Sequence, residues 1–319
     1  MQDTAETGCT GDGALPAFVD PRLAQARSHD PGHWLIESRF SNGLPHWSCS
    51  RAAAMAAARS VGLAVAQAVV SPDRMGLLMQ KDTVDRATKT PLEAPGARAC
   101  FEEEGGPGLR ACFDFVDANS SFPIVDVHAL LRWSLVSYVL GHTEQNAGHV
   151  VLRRDADDPN WRLAPFPWMT AFATLACDGP YPQPLGMRIG GAWADDHVMV
   201  HQLVALAQWA RVKPKIVFTM AEEIAATMPQ ALGMALLDQY KAPHNSTARR
   251  ILLAARIRAQ RITEICLAAP RQGVPGLKRK PVIYPETGEA PEESEASEQP
   301  DNEDLRRINR MAAFGPHED

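Results

Sequence analysis

Chemistry in this chain is concentrated in one short stretch. His142, Glu144, Gln145, Asn146 and His149 place two imidazoles, a carboxylate and two carboxamides within eight residues. A carboxylate beside a carboxamide can accept a proton and help to hold a cation, whereas two histidines with a glutamate could ligate a transition metal. The metal reading is the weaker one. His142 and Glu144 have the His-x-Glu spacing of zinc-dependent deamination, but that chemistry needs a downstream Pro-Cys-x-x-Cys, and none follows. A site of His142, Glu144 and His149 stays an alternative, and no metal ligand is assigned. His197 and His201 stand one helical turn apart, yet Val198 follows the first where a metalloprotease helix carries glutamate, so two surface histidines are expected. Six cysteines (Cys9, Cys49, Cys100, Cys112, Cys177, Cys266) form no CxxC pair and read as reduced, structural thiols. Gly11, Gly13, Gly105, Gly106, Gly190 and Gly191 compose neither a Walker loop nor a full dinucleotide fingerprint and read as turns.

The elements that must position this stretch follow from periodicity. Strands are expected at Leu15 to Val19 and Trp34 to Ile36, an alanine-rich helix from Arg51 to Val61 stopped by Gly62, and a strand pair from Val65 to Val70 and Gly76 to Gln80. A hairpin of Ala99 to Glu102 against Leu109 to Phe115 is expected around Gly105, Gly106 and Pro107. Asp126 is expected to cap a helix to about Leu140, ended by Gly141, in which Val127, Leu130, Leu131, Leu135, Tyr138 and Val139 recur at three and four. Val150 to Arg153 and Trp161 to Ala164 then form a short strand pair. The last third is helical: Asp195 or Asp196 to Ala210, Thr219 to Met228, and Asn245 or Ser246 to Cys266. The last of these carries Arg249, Arg250, Arg256, Arg258 and Arg261, expected as a solvated face paired with local acids rather than a phosphate site. Six of the seven tryptophans (Trp34, Trp47, Trp133, Trp161, Trp193, Trp209) are expected in the core or between lobes.

Composition limits the function classes. With 319 residues and 45% hydrophobic content the chain can build a sizeable core. Its net charge of −6 is uneven: residues 281 to 319 hold eleven acids and three bases, or −8, leaving +2 for residues 1 to 280. Neither half has the basic footprint of a nucleic-acid binder, so no direct nucleic-acid contact is expected. The start lacks the positive and apolar regions of a secretory signal, and a cytoplasmic location without membrane contact is expected. Residues 1 to 13 read as a flexible arm. Residues 271 to 319 read as a disordered acidic tail, within which Leu305, Ile308, Met311 and Phe314 share one face of a possible docking helix at 304–314.

The motifs have a family resemblance. "SLVSYVLGHTEQNAGHVVL", then "NWRLAPFPWM" and "LGMRIGG", resemble in order the catalytic half of the HipA family of bacterial serine/threonine kinases, the toxin halves of toxin–antitoxin pairs. In that family an apolar helix ends in Gly-Asn-x-Asp-x-His-x-x-Asn, followed by a hairpin, Arg-Leu-Ala-Pro-x-Tyr-Asp and a Gly-Gly segment. "GDGALPAFVD", "HWLIES", "AAARSVGLAVAQAVV" and "LLMQKDTVDR" are similar, more loosely, to the family's nucleotide-binding lobe. The resemblance implies an α+β, bilobal protein-kinase-like fold. Its parts would be a small sheet-plus-helix lobe at 14–86, a hinge and hairpin at 87–123, and a larger helical lobe at 124–270.

It also implies positions for the catalytic groups, and at each the residue has changed. Glu144 falls where the family has its catalytic Asp, Asn146 on the intervening histidine, His149 on the metal-binding asparagine and Trp168 on the second metal-binding Asp. The strand lysine falls on Glu37 and the phosphate-loop lysine on Ala17, near Gly13; Arg39 or Lys81 is positioned to substitute. An extra methylene displaces a carboxylate by about an ångström, enough to cost roughly 100-fold. Imidazole and indole are poor or useless ligands for Mg²⁺. The expectation is a pseudokinase that acts by binding a protein partner, an antitoxin-like DNA-binding protein among the candidates. The alternative is a divergent active kinase using ATP and Mg²⁺ with Glu144 as base.

Overall fold

The computed structural model describes residues 34–38, 47–70, 76–80, 87–93, 97, 99–155, 157–167, 169–171, 184–241, 245–270 and 274. Gly13, Ala17, Arg39, Lys81, Trp168, the expected strand at 15–19, the arm at 1–13 and the tail segment 281–319 lie outside the described residues, as do Cys9 and Cys177. The described residues all belong to one compact unit.

The first strand, β1 (Trp34–Ser38), leads to α1 (Trp47–Ser60). Alanine fills α1 because almost every side of it is buried, with Ala52, Ala53, Ala54, Ala57 and Ala58 at most 2% exposed. Gly62 ends this stretch at φ +81°, which an L side chain rarely adopts. β2 (Ala68–Val70) and β3 (Gly76–Gln80) complete an antiparallel sheet in the order β1-β3-β2, with Glu37 opposite Leu77. A second sheet joins β4 (Ala87–Lys89), β5 (Leu152–Arg154) and β6 (Arg162–Leu163), all antiparallel. β7 (Pro184–Ile189) and β8 (Ala192–Ala194) form a hairpin about Gly190 and Gly191, whose φ values of +56° and +92° fit a two-residue primed turn.

The hairpin expected at Leu109 to Phe115 is instead α2 (Leu109–Asn119). Leu109, Cys112, Phe113 and Val116 are buried at helical spacing, and the glycines taken for a hairpin turn punctuate two helices: Gly105 closes a 3₁₀ turn at Glu102–Glu104 and Gly108 opens α2. The long apolar helix is α3 (Pro123–Leu140), which starts on Pro123 rather than being capped by Asp126. Asp126 is buried inside its first turn. It accepts from Ser120 Oγ at 2.5 Å and from the Leu163 amide at 3.0 Å, with Arg162 at 3.6 Å, so it fastens β6 to α3. Among the described residues α3 meets the length and composition for crossing a membrane, but 67% of it is buried in this unit, as befits a core helix.

Three helices finish the unit. α4 (Val200–Trp209) begins later than expected, after a 3₁₀ turn at Asp195–His197. α5 (Pro214–Tyr240) runs through Thr219 and past Met228, with Pro229 inside it. An internal proline costs a helix about 3 kcal/mol, and burial of Leu232, Leu236 and Tyr240 in line with Val217, Ile224 and Met228 outweighs that cost. α6 (Ser246–Ala268) is capped by Asn245, whose side chain accepts from the Ala248 amide at 3.0 Å. Its arginines do not form one solvated face: Arg258 is buried and donates to Asp195 at 3.0 Å. Trp133 is in the core, whereas Trp193 is 55% exposed and Trp161 is half-buried, with Lys89 and Arg154 over its ring. Cys49, Cys100, Cys112 and Cys266 are free thiols.

Candidate functional site

The stretch that carries the chemistry begins at the C-terminus of α3. Gly141 caps the helix at φ +69°, and its amide donates to the Tyr138 carbonyl at 3.1 Å. The Arg258 guanidinium lies directly against it, so a Cβ here would meet Nη1 at 2.6 Å. Gly186 of β7 holds the next residues from the other side. A Cβ at Gly186 would lie 2.4 Å from the Thr143 carbonyl and 2.6 Å from the Gln145 amide. The loop is thus clamped between backbone and guanidinium before its side chains are considered.

Glu144, the residue at the expected base position, accepts a 2.8 Å hydrogen bond from Arg51 Nη2 of α1. The guanidinium is buried and the carboxylate is 35% exposed, so the pair sits at the loop surface with its cation inside. Asn146 is occupied with the backbone: Oδ1 accepts from the Gly148 amide at 2.9 Å and Nδ2 donates to the Glu144 carbonyl at 3.0 Å, capping a 3₁₀ turn at Ala147–His149. His149 lies within 3.4 Å of that same Nδ2.

Beneath the loop two imidazoles stack, His142 and His149, with centroids 6.1 Å apart and planes 11° from parallel. Both are held in the neutral form. Burial lowers His149 to about 4, helped by the Arg51 charge, and pushes His142 well below the usual histidine range, with His149 and Arg51 adding to the effect. His142 Nδ1 is 3.0 Å from Thr170 Oγ1, and Trp133 meets His149 edge-on at 6.3 Å while stacking on Phe166 at 4.5 Å. Three buried polar atoms here, Trp133 Nε1, His142 Nε2 and Gln145 Nε2, have no hydrogen-bond partner among the described residues.

The sequence brings Glu144, Asn146 and His149 together, and the structure agrees that they are neighbours. Glu144 is held by Arg51, Asn146 by the loop backbone, and His149 lies against His142 and Trp133. His142, Glu144 and His149 do not converge as metal ligands, and no group of three or more His, Cys, Asp or Glu side chains suited to a metal occurs among the described residues. Mg²⁺ with a nucleotide would need paired oxygen donors, whereas the loop offers a carboxylate bound to arginine and a carboxamide bound to backbone. These residues do not fit that group. Glu37 sits in the middle of β1, and His197 and His201 are exposed, as expected for the latter pair. Arg51 was missed by sequence reasoning. Its signal was available: with Arg59, it is one of two charges in α1, set among small residues that a buried helix requires. A separate cavity of about 410 Å³ lies at the start of α2 between Arg110, Arg188 and Trp209, where Glu102 accepts from the Arg188 amide at 2.9 Å.

No protein-family model matches the sequence, and no curated protein matches it. Solved structures do. HipA of Shewanella oneidensis MR-1, from a toxin–antitoxin complex with HipB and its operator DNA, superposes with a TM-score of 0.61 at 14% identity over 82% of this chain and 76% of that one. The Helicobacter pylori proinflammatory kinase CtkA matches at a TM-score of 0.41 and 14% identity, over 72% of this chain and 91% of its own. The fold of this chain is therefore similar to that of HipA, a mixture of helices with small sheets.

Proposed function

We propose that the chain is a pseudokinase: a bilobal HipA-like fold, cytoplasmic, that has lost phosphoryl transfer and acts by binding a protein partner. The observation that carries this reading is the Arg51–Glu144 pair at 2.8 Å. In phosphoryl transfer a carboxylate must be aimed at the acceptor hydroxyl and oxygen donors must be aimed at the metal. Here the carboxylate is turned to a buried arginine and the carboxamide of Asn146 to the backbone. What remains is a scaffold with a locked loop. The HipA structure that shares this fold is in complex with HipB and DNA, and by analogy an antitoxin-like protein is the class of partner proposed.

Titration with ATP and Mg²⁺, followed by thermal shift and calorimetry, tests the reading. Neither a magnesium-dependent shift nor phosphate transfer to the protein itself is expected. Magnesium-dependent binding with transfer would overturn it. The second reading, a divergent active kinase, is favoured by the 35% of the Glu144 side chain that stays exposed. Loss of transfer in Glu144→Ala, in a variant that stays folded by far-UV circular dichroism, would install that reading instead.

A further inference from the structure

α5 and α6 form an antiparallel pair, and two contacts fix its phase. A Cβ on Gly233 would lie 3.5 Å from a Leu252 methyl, and the Cys266 thiol donates to the Phe218 carbonyl at 3.8 Å. Numbering rises along one helix as it falls along the other. Each residue turns by about 100° around its helix axis, and in an antiparallel pair the two rotations have opposite senses when viewed from one end. The residues just past the contact, Met234 and Leu253, therefore turn to the same side. Three or four places further along, Leu237, Arg249, Arg256 and Ile257 reach that side too.

All six are exposed, the aliphatic ones at 68% for Met234, 53% for Leu237, 40% for Leu253 and 61% for Ile257. Single exposed aliphatics are ordinary, but four on one face of a helix pair form a patch. Between Ser246 and Thr263 α6 carries only basic charge, whereas Glu264 of α6 and Asp238 of α5, paired with Lys241, are the exposed acids towards its two ends. Arg258 leaves the same helix on its buried side, against Gly141.

We propose that this α5–α6 face docks an amphipathic helix from a partner protein, with aliphatic residues on one side and an acidic rim. The aliphatic seam suits anchors spaced at i, i+3, i+4 and i+7, and the exposed Arg256 suits a carboxylate beside them. Duplex nucleic acid would use the arginines and leave the aliphatic groups without partners. A second copy related by a two-fold axis would set like charges of α6 near one another. The chain's own apolar segment carries Arg306, Arg307 and Arg310, the wrong sign for this face. The surface goes beyond the pseudokinase reading and does not depend on whether the loop transfers phosphate.

The test is fluorescence anisotropy of the full-length protein at low ionic strength. The probe is a labelled helical peptide of about 18 residues, about 27 Å long, with leucine at i, i+3, i+4 and i+7 and glutamate elsewhere. A lysine-for-glutamate counterpart is the control. The glutamate peptide should bind at least about tenfold more tightly than the lysine one. Ile257→Glu and Arg256→Glu should each weaken binding by about tenfold, while Ile257→Ala weakens it less. Far-UV circular dichroism and the thermal midpoint should stay unchanged, since both side chains project into solvent. Equal affinity for the two peptides, or none for the first, overturns the proposal. So does competition by a mixed-sequence DNA duplex, or a dimer that Ile257→Glu dissociates.

Discussion

Burial turns the two histidines of the loop from chemical groups into conditions on stability. An imidazole kept neutral in the native state and free to protonate in the unfolded one makes stability depend on pH. The unfolded value is near 6.5, and burial places His149 at about 4 and His142 lower still. Between those limits the unfolded chain binds protons that the native chain refuses. The contribution is complete above about pH 6.5 and is lost as pH falls towards 4; for His149 alone the span is roughly 3 kcal/mol. Urea unfolding followed from about pH 7 down to about pH 5 should show a falling midpoint, and His149→Phe, which keeps a ring against Trp133, should flatten the slope. A midpoint indifferent to pH would mean that these imidazoles bind protons equally in the native and unfolded states. The same burial explains why Asn146 caps the turn: away from water its carboxamide must satisfy backbone groups first.

Glycines separate two kinds of constraint at the level of elements. Gly62 and Gly141 both end helical segments at positive φ, +81° and +69°. A Cβ at Gly62 would meet nothing within 4 Å, whereas one at Gly141 would strike the Arg258 guanidinium at 2.6 Å. Gly62→Ala should therefore cost only the dihedral strain, about 1 kcal/mol, and Gly141→Ala that strain plus displacement of a buried arginine from Asp195, about 3 kcal/mol in all. Chemical denaturation of both variants measures the difference, and equal losses would show that Arg258 does not brace the loop. Much of this level could be read from residue order. The period of α3, the stop at Gly141, the Asn245 cap and the β5–β6 pair all follow from local signals. What escaped was set by tertiary contact. α2 looks like half a hairpin until Leu109, Cys112, Phe113 and Val116 are seen to share a buried side, α5 crosses Pro229 because its buried line continues, and Asp126 turned inward to hold β6. At the candidate site the sequence identified the loop, but Glu144 finds its partner 93 residues away, beyond the reach of any local pattern.

The whole chain carries its charge unevenly, and this bears on any acidic partner. Residues 1 to 280 sum to +2 and residues 281 to 319 to −8. At low ionic strength a net charge of −6 slows and weakens the approach of an acidic helix, because unscreened repulsion extends over roughly 10 Å or more. Removing residues 281–319 reverses the sign without touching α5 or α6. Affinity for the glutamate peptide should then rise by about three- to tenfold in dilute buffer, and the gain should vanish near 1 M salt, where the screening length is about 3 Å. Anisotropy titrations of the two chains at both salt concentrations test this. A gain that survives high salt would point to a contact rather than a field. Loss of binding on truncation would move the docking site to residues 281–319, where Leu305, Ile308, Met311 and Phe314 recur at helical spacing in the sequence.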